Sequence, residues 1–356
     1  MRNTAERRPG RPGRLARLLL PAVAAGLLVS CAPAGDAPPA ANTPWFGGYV
    51  EATAYPYFEF AGASAADATT VLGFIVADPE DACSPSWGGY FTLDQAAADL
   101  GLETQVADIR RSGGEVLVSF GGAAEDELAT ACTDPAALAT AYRGVIDRYD
   151  LDVLDLDVEL NDLEDSEANL RRASVVAELQ AERPAEDPLG VWLTLPVGST
   201  GLGEQSLSLI SGMLDAGVEL DGVNIMTMNY GDGTPQERSM LDVSTAAAGA
   251  AHAQLRDAYA DAGQALSDEL VWNRMGLTPM LGVNDVDGEL LTVADAEALN
   301  AFARERGIGR MSYWSVNRDR PCGPEIAADE GAVGTCSGTE QQTGEFARVL
   351  GEGFGG

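Results

Sequence analysis

The chain has 356 residues, 55 acidic side chains against 22 basic ones, and a formal net charge of −33. Every basic residue is Arg and the single His is His252. That excludes a multi-His zinc centre, a Schiff-base lysine and a lysine-bearing phosphate loop. The negative charge argues against nucleic acid as a partner, and 46% hydrophobic residues suffice for a core of ordinary size.

Residues 2–17 carry six Arg, and residues 18–30, LLLPAVAAGLLVS, are apolar up to Cys31. The apolar run is too short to span a bilayer, so residues 1–31 read as a signal peptide. The stretch Leu28-Val29-Ser30-Cys31 resembles the lipobox of bacterial lipoproteins. It implies lipidation of Cys31, a cell-surface location and membrane contact only through that lipid. An ordinary secretory signal cut nearby is the alternative, and either one means export. Residues 32–44 form a Pro/Ala-rich tether, residues 45–350 a single domain, and residues 351–356 a flexible end.

Along the domain, short β-like runs alternate with amphipathic stretches. The β-like runs are 45–54, 69–78, 115–121, 151–160, 190–197, 222–230, 275–282 and 310–316. Helical patterns cover 93–111, 134–149, 163–182, 206–216, 244–266 and 293–306. Asp134-Pro135 reads as a cap with proline at the first helical position, and Ser112-Gly113-Gly114 as a helix stop. Eight alternations predict an α/β fold, a single (β/α)8 TIM barrel. A doubly wound sheet would normally carry a Gly-rich phosphate turn after its first strand, and GGYVEATAYP is not one.

Four cysteines follow Cys31, and an even count in an exported chain reads as disulfides. Cys83 and Cys132 follow the second and third predicted strands, which puts them in neighbouring loops on one rim. Cys322 and Cys336 both follow the eighth. The expected pairs are Cys83–Cys132 and Cys322–Cys336.

The fourth run, 151–160, reads LDVLDLDVEL. Side chains alternate across a strand, so Asp155, Asp157 and Glu159 share one face and Leu154, Leu156 and Val158 the other. In a barrel the apolar face meets the helices and the three acids point inward. Repulsion and desolvation must then raise at least one pKa, that of Glu159 first, which makes it a general acid. A polar face on an antiparallel strand, a calcium loop and a two-metal phosphotransfer site remain as alternatives. The calcium loop lacks its turn glycine, and the phosphotransfer site lacks a nearby basic residue.

DVLDLDVE, residues 152–159, resembles the Asp-Gly-x-Asp-x-Asp-x-Glu motif of family 18 glycoside hydrolases, the chitinases. Ser119-Phe120-Gly121-Gly122 is similar to that family's third strand, WLTLPV (192–197) to the fifth, NIMTMNY (224–230) to the sixth, and LTPMLGVND (277–285) to the seventh. Tyr313-Trp314-Ser315 falls where the family keeps a tryptophan on the eighth. The likeness covers the whole domain. It is strongest to bacterial and archaeal members whose compact barrel lacks the α+β insertion.

The resemblance implies hydrolysis of chitin or N-acetylglucosamine oligosaccharides with retention of configuration, without metal or cofactor; a monomer is expected. The substrate's own acetamido oxygen serves as nucleophile. In that scheme Glu159 is the acid and base. Asp157 orients the acetamido group, and Asp155 tunes Asp157 by sharing a proton, with Ser119 anchoring Asp155. Tyr230 bonds the acetamido oxygen with Asn229 beside it, Trp314 is the floor under the sugar, and Met228 lies alongside. Three departures stand out: Val153 and Leu160 replace glycines, and Asn229 replaces an aspartate. Met226 and Met228 read as core packing as readily as ligands. Trp45, Tyr49 and Tyr90 are possible sugar platforms. Asn284 and Asp285 read chiefly as a turn, and His252 as a bystander on a helix surface. A carbohydrate-binding protein without activity, and a hydrolase of another N-acetylglucosamine glycan, are the competing functions.

Overall fold

Eight parallel strands close on themselves in the computed structural model, which describes residues 41–57, 69–231, 238–324 and 333–355. They are β1 (Trp45–Glu51), β2 (Thr69–Asp78), β3 (Glu115–Gly121), β4 (Val153–Asp157), β5 (Gly190–Gly198), β6 (Gly222–Met226), β7 (Met275–Thr278) and β8 (Arg310–Trp314). Each pairs with the next in parallel, and β8 returns to β1 through Trp45↔Arg310 to Tyr49↔Trp314. This is the (β/α)8 barrel expected from the alternation. The signal segment, Cys31 and the tether up to residue 40 lie outside the described residues.

Two separate apolar regions follow from strand alternation. Leu154, Leu156 and Val158 join the large core between barrel and helices. The barrel interior has its own small cluster of Tyr49, Val71 and Leu117, with Phe74, Val153 and Trp314 packed against it. Val153, a departure from the family glycine, is therefore part of the barrel's filling. Asp134 caps the helix Pro135–Tyr149 by accepting from the amides of Ala136 and Ala137, as its sequence foretold.

Several elements differ from expectation. The helical pattern over 93–111 is two helices, Leu93–Asp99 and Leu102–Arg111, parted by Gly101 at φ 62°. An antiparallel hairpin, Asp81–Trp87 with Phe91–Thr92, extends the sheet from β2 and was not foreseen. Residues 351–355, read as a flexible end, make defined contacts: Phe46 N–H donates to Gly355 O, and the Asn300 amide to Leu350 O and Glu352 O. At the other terminus the Asn42 side chain donates to Asp221 O. The disulfides are Cys83–Cys132 and Cys322–Cys336, with Cα separations of 4.7 and 5.0 Å. The first ties the hairpin to the loop that follows β3.

Candidate active site

At the C-terminal end of the barrel a cavity of about 200 Å³ opens, lined by Asp157, Glu159, Thr194, Asn229 and Asp285, with an apolar wall of Met226, Met228, Met280, Phe74 and Trp314. Active sites of this fold sit at that end, where loops follow the strands. Below the cavity lies a dry polar layer centred on Asp155, which is fully buried. One oxygen of Asp155 accepts from Tyr49 Oη at 2.7 Å and Ser119 Oγ at 2.8 Å. The other accepts from Thr194 Oγ1 at 2.8 Å and Arg310 Nη1 at 2.6 Å. Burial holds the Tyr49 hydroxyl well above its ordinary pKa, so it stays a donor.

Arg310 completes this layer. Its other nitrogens donate to Ser312 Oγ and Tyr49 Oη, and its guanidinium lies 4.7 Å from the Trp45 ring centre and 5.4 Å from that of Trp192. Further support comes around the barrel: Thr278 donates to Asn224, and Asn224 to Thr194. Every donor in this chain points toward Asp155, so the carboxylate is solvated by fixed groups in place of water.

Asp157 is nearly as buried, at 4% exposure, yet its Oδ1 finds no hydrogen-bond partner among the described residues. Burial, then the charges of Glu159 and Asp155, push its pKa well above the usual range, with Arg310 opposing. A donor from a bound molecule would meet an unsatisfied acceptor here. The strand reaches this point because Gly121 on β3 sits at φ 102°, where a Cβ would lie 2.0 Å from Asp157 O; Gly122 N–H donates to that same oxygen.

Glu159 lies two residues beyond β4, at the N-cap of the short helix Leu160–Glu164, and makes no capping bond. Burial, then the charge of Asp162, pushes its pKa up to about 7. A half-buried carboxyl that keeps its proton near neutrality can donate it to a leaving group. Leu160 turns the chain sharply at φ 47°, a conformation that favours glycine, with its side chain 64% exposed. The glycine that the family motif carries at this position therefore has a backbone reason.

The loops after β6 and β7 are locked together. The Asn229 amide donates to Asp285 Oδ2, and Asp285 N–H returns a bond to Asn229 Oδ1, both at 2.9 Å. Asn284 Oδ1 accepts from Asn229 N–H, while its amide donates to Met280 O and Gly282 O. Glu289 clamps the N–H groups of Tyr230 and Gly231. Asn284 and Asp285 thus do more than make a turn, and Asp285 faces the cavity.

Other expectations need adjustment. The Tyr230 hydroxyl donates to Ser244 Oγ and does not line the cavity. The proton sharing expected between Asp155 and Asp157 has no counterpart in the hydrogen bonds, because four other donors fill Asp155's oxygens. Ser119 anchors Asp155 as anticipated. Tyr49 is 1% exposed and acts as a clamp on Asp155, while Trp45 packs edge-on against Trp192 at the start of β1, away from the cavity. Tyr90 is well exposed in the hairpin turn but does not reach the cavity. Trp314 stacks on Phe74 with ring centres 5.6 Å apart. His252 is buried and stacks on Trp272 at 4.1 Å. Arg310, Thr194 and Phe74 were missed. For Arg310 a signal existed, a charge in an apolar strand in phase with Ser312 and Trp314.

No family model matches the chain. It is 32% identical over 265 residues to a probable bifunctional chitinase/lysozyme of Escherichia coli (strain K12), covering 72% of this chain and 29% of that protein. It is 31% identical over 258 residues to Endochitinase 11 of Metarhizium anisopliae, covering 70% of this chain and 47% of the relative. The chain thus spans less than half the length of these curated relatives. The catalytic domain of a hyperthermophilic chitinase from Pyrococcus furiosus superposes with a TM-score of 0.72 at 28% identity, over 87% of this chain and 95% of that one. The barrel is similar to those of chitinases, family 18 glycoside hydrolases among them. Catalytic-site mutants of the Pyrococcus domain have also been solved with chito-oligosaccharides. The acid strand, the cavity at its end and the tryptophan on β8 form one constellation at the C-terminal end of this barrel.

Proposed function

We propose that this chain is a retaining glycosidase that cleaves β-linked N-acetylglucosamine oligomers of the chitin type by substrate-assisted catalysis. The observation that carries the reading is the pairing of a proton-holding Glu159 with an Asp157 whose buried Oδ1 lacks a hydrogen-bond partner among the described residues, at a largely apolar cavity. Glu159 protonates the glycosidic oxygen as the bond to the anomeric carbon breaks. The acetamido carbonyl oxygen of the same sugar forms the new bond to that carbon, and Asp157 accepts the acetamido N–H. Charge builds on the cyclic cation beside Asp157, whose pKa falls as its acceptor site fills. Glu159, now deprotonated, takes a proton from water as the water opens the ring, and the configuration is retained.

Trp314 and Phe74 offer an apolar floor to the sugar face, and the three methionines offer a wall to the acetamido methyl group. Asn229 and Asp285 supply polar edges. In this reading Tyr230 steadies the loop through Ser244 and does not touch the sugar. Export with a lipid on Cys31, and action as a monomer, complete the proposal on sequence grounds.

The test is a product profile on N-acetylglucosamine oligomers with the anomeric configuration read early in the reaction. Wild type should release the β-anomer and Glu159→Gln should release almost nothing. Binding without cleavage by both proteins would instead favour a carbohydrate-binding role. Inversion of configuration would overturn the substrate-assisted route.

A further inference from the structure

Behind the acid, on the side away from the cavity, lies a second buried set of charges that the mechanism does not use. Asp162 sits one turn after Glu159 on the same short helix, is 3% exposed, and accepts the Glu127 N–H at 3.0 Å. Glu127, in the loop after β3, is itself fully buried. Its carboxylate accepts from Arg172 Nη2 at 2.7 Å and Nε at 3.0 Å, from Tyr142 Oη at 2.5 Å and from Ala129 N–H at 2.7 Å. Arg172 is spent on this pair and is fully buried with it. Glu127 is thus paired with Arg172, whereas Asp162 makes no salt bridge among the described residues: the Thr130 hydroxyl and the Glu127 N–H stand beside its carboxyl, burial raises its pKa, and Arg172 opposes that from a distance.

We infer that Asp162 is a positioning residue for the reaction proposed above: it pins the kink that aims Glu159 into the cavity and holds a buried carboxylate beside that acid. The pin is needed because Leu160 holds a left-handed backbone conformation, which a non-glycine residue leaves unless its surroundings enforce it. Asp162 enforces it from two residues away by fastening the helix turn to the β3 loop. The charge acts because Asp162 is buried in the first turn of the helix that follows Glu159. The groups facing Glu159 are Asp157 at the end of the strand before it, Asp162 in the turn after it, and Asp285 on the cavity wall. The nearby cations, Arg172 and Arg310, are bound to Glu127 and Asp155. The field at Glu159 is thus made of like charges, and the direction of its pKa agrees.

This inference rests on Glu159 being the acid, so the test separates the two. Carboxyl carbons labelled with 13C are titrated by NMR in wild type, Asp162→Asn and Asp162→Ala, with the Glu159 signal assigned by its loss in Glu159→Gln. Asparagine keeps an oxygen for the Glu127 N–H and removes the charge. In Asp162→Asn the Glu159 transition should move to lower pH by roughly half a unit or more. The alkaline limb of kcat on chito-oligosaccharides should move with it, while kcat at pH 5 and KM stay near wild type. Asp162→Ala should show the same shift and a further tenfold or greater loss of kcat at every pH, because the pin is gone. An unmoved Glu159 transition in Asp162→Asn overturns the electrostatic part. Equal kcat at pH 5 in the Ala and Asn variants overturns the positioning part. If the NMR shift appears but wild type cleaves no oligomer, the proposed activity falls and the role of Asp162 stands.

Discussion

Asp155 and Asp157 stand two residues apart on one strand, both almost removed from water, yet their surroundings differ in kind. Three hydroxyls and a guanidinium close around Asp155. Asp157 faces a cavity with one oxygen unpaired and two like charges beside it. The lower layer is finished without a ligand, and the upper layer is complete only when one arrives. A barrel can hold both because the closed strands below supply rigid donors, while the loops above leave a gap the size of a sugar ring. An unsatisfied buried acceptor is expensive to keep, and the one on Asp157 faces the cavity, where a bound molecule can supply the missing donor.

The sharpest way to break this contrast is to remove the proton donor of the upper layer. Glu159→Gln should lower kcat about 10²–10⁴-fold while leaving oligomer binding measurable by calorimetry. A loss below tenfold would mean the acid lies elsewhere. Next is the lower layer: Arg310→Met strands Asp155 and should cost about 3–5 kcal/mol in a denaturant titration, more than any single change around the cavity. If the cost is under 1 kcal/mol, the two layers are alike in stability terms.

A third prediction uses pH. Burial raises the folded pKa of both Glu159 and Asp157, so their contribution to stability is full below the unfolded carboxyl range. It is lost as pH rises through the raised folded pKa of each group, about 7 for Glu159. Glu159→Gln should therefore raise Tm at pH 8 by about 2–4 °C and change it little at pH 4. Equal gains at both values would rule out titration as the cause. The smallest expected effect is at the kink. Leu160→Gly relieves about 1–2 kcal/mol of left-handed strain and restores about 0.5–1 kcal/mol of unfolded-chain entropy, so stability should rise slightly or stay level. A clear loss of stability would show that the exposed leucine has a packing role.

Much of the architecture was legible. Strand β2 (Thr69–Asp78), strand β3 (Glu115–Gly121) and the helix Val293–Arg306 fall where the periodicity puts them, because each has one sharply apolar face and turn residues at its ends. The hairpin Asp81–Trp87 was not legible, since Pro85 and the polar DACS stretch mask its alternation. The acid trio was visible because a period of two in charge is rare inside an apolar strand. The partners of Asp155 come from β1, β3, β5 and β8, as far as 155 positions away in the chain, and no local pattern points from one to another. Tyr230 was misplaced for a related reason. The strand was extended through residue 230, whereas β6 ends at Met226 and Asn229 adopts φ 52°, so the alternation no longer says which way Tyr230 points.

By itself the sequence determined the barrel, the inward direction of Asp155, Asp157 and Glu159, and the rim on which they end. Alternation and hydrophobic period are local properties that survive without coordinates. Only the tertiary structure decided which of the three acids is neutralised and which holds a proton. That outcome depends on how many donors and charges distant strands bring within a few ångströms, and on how much water they exclude.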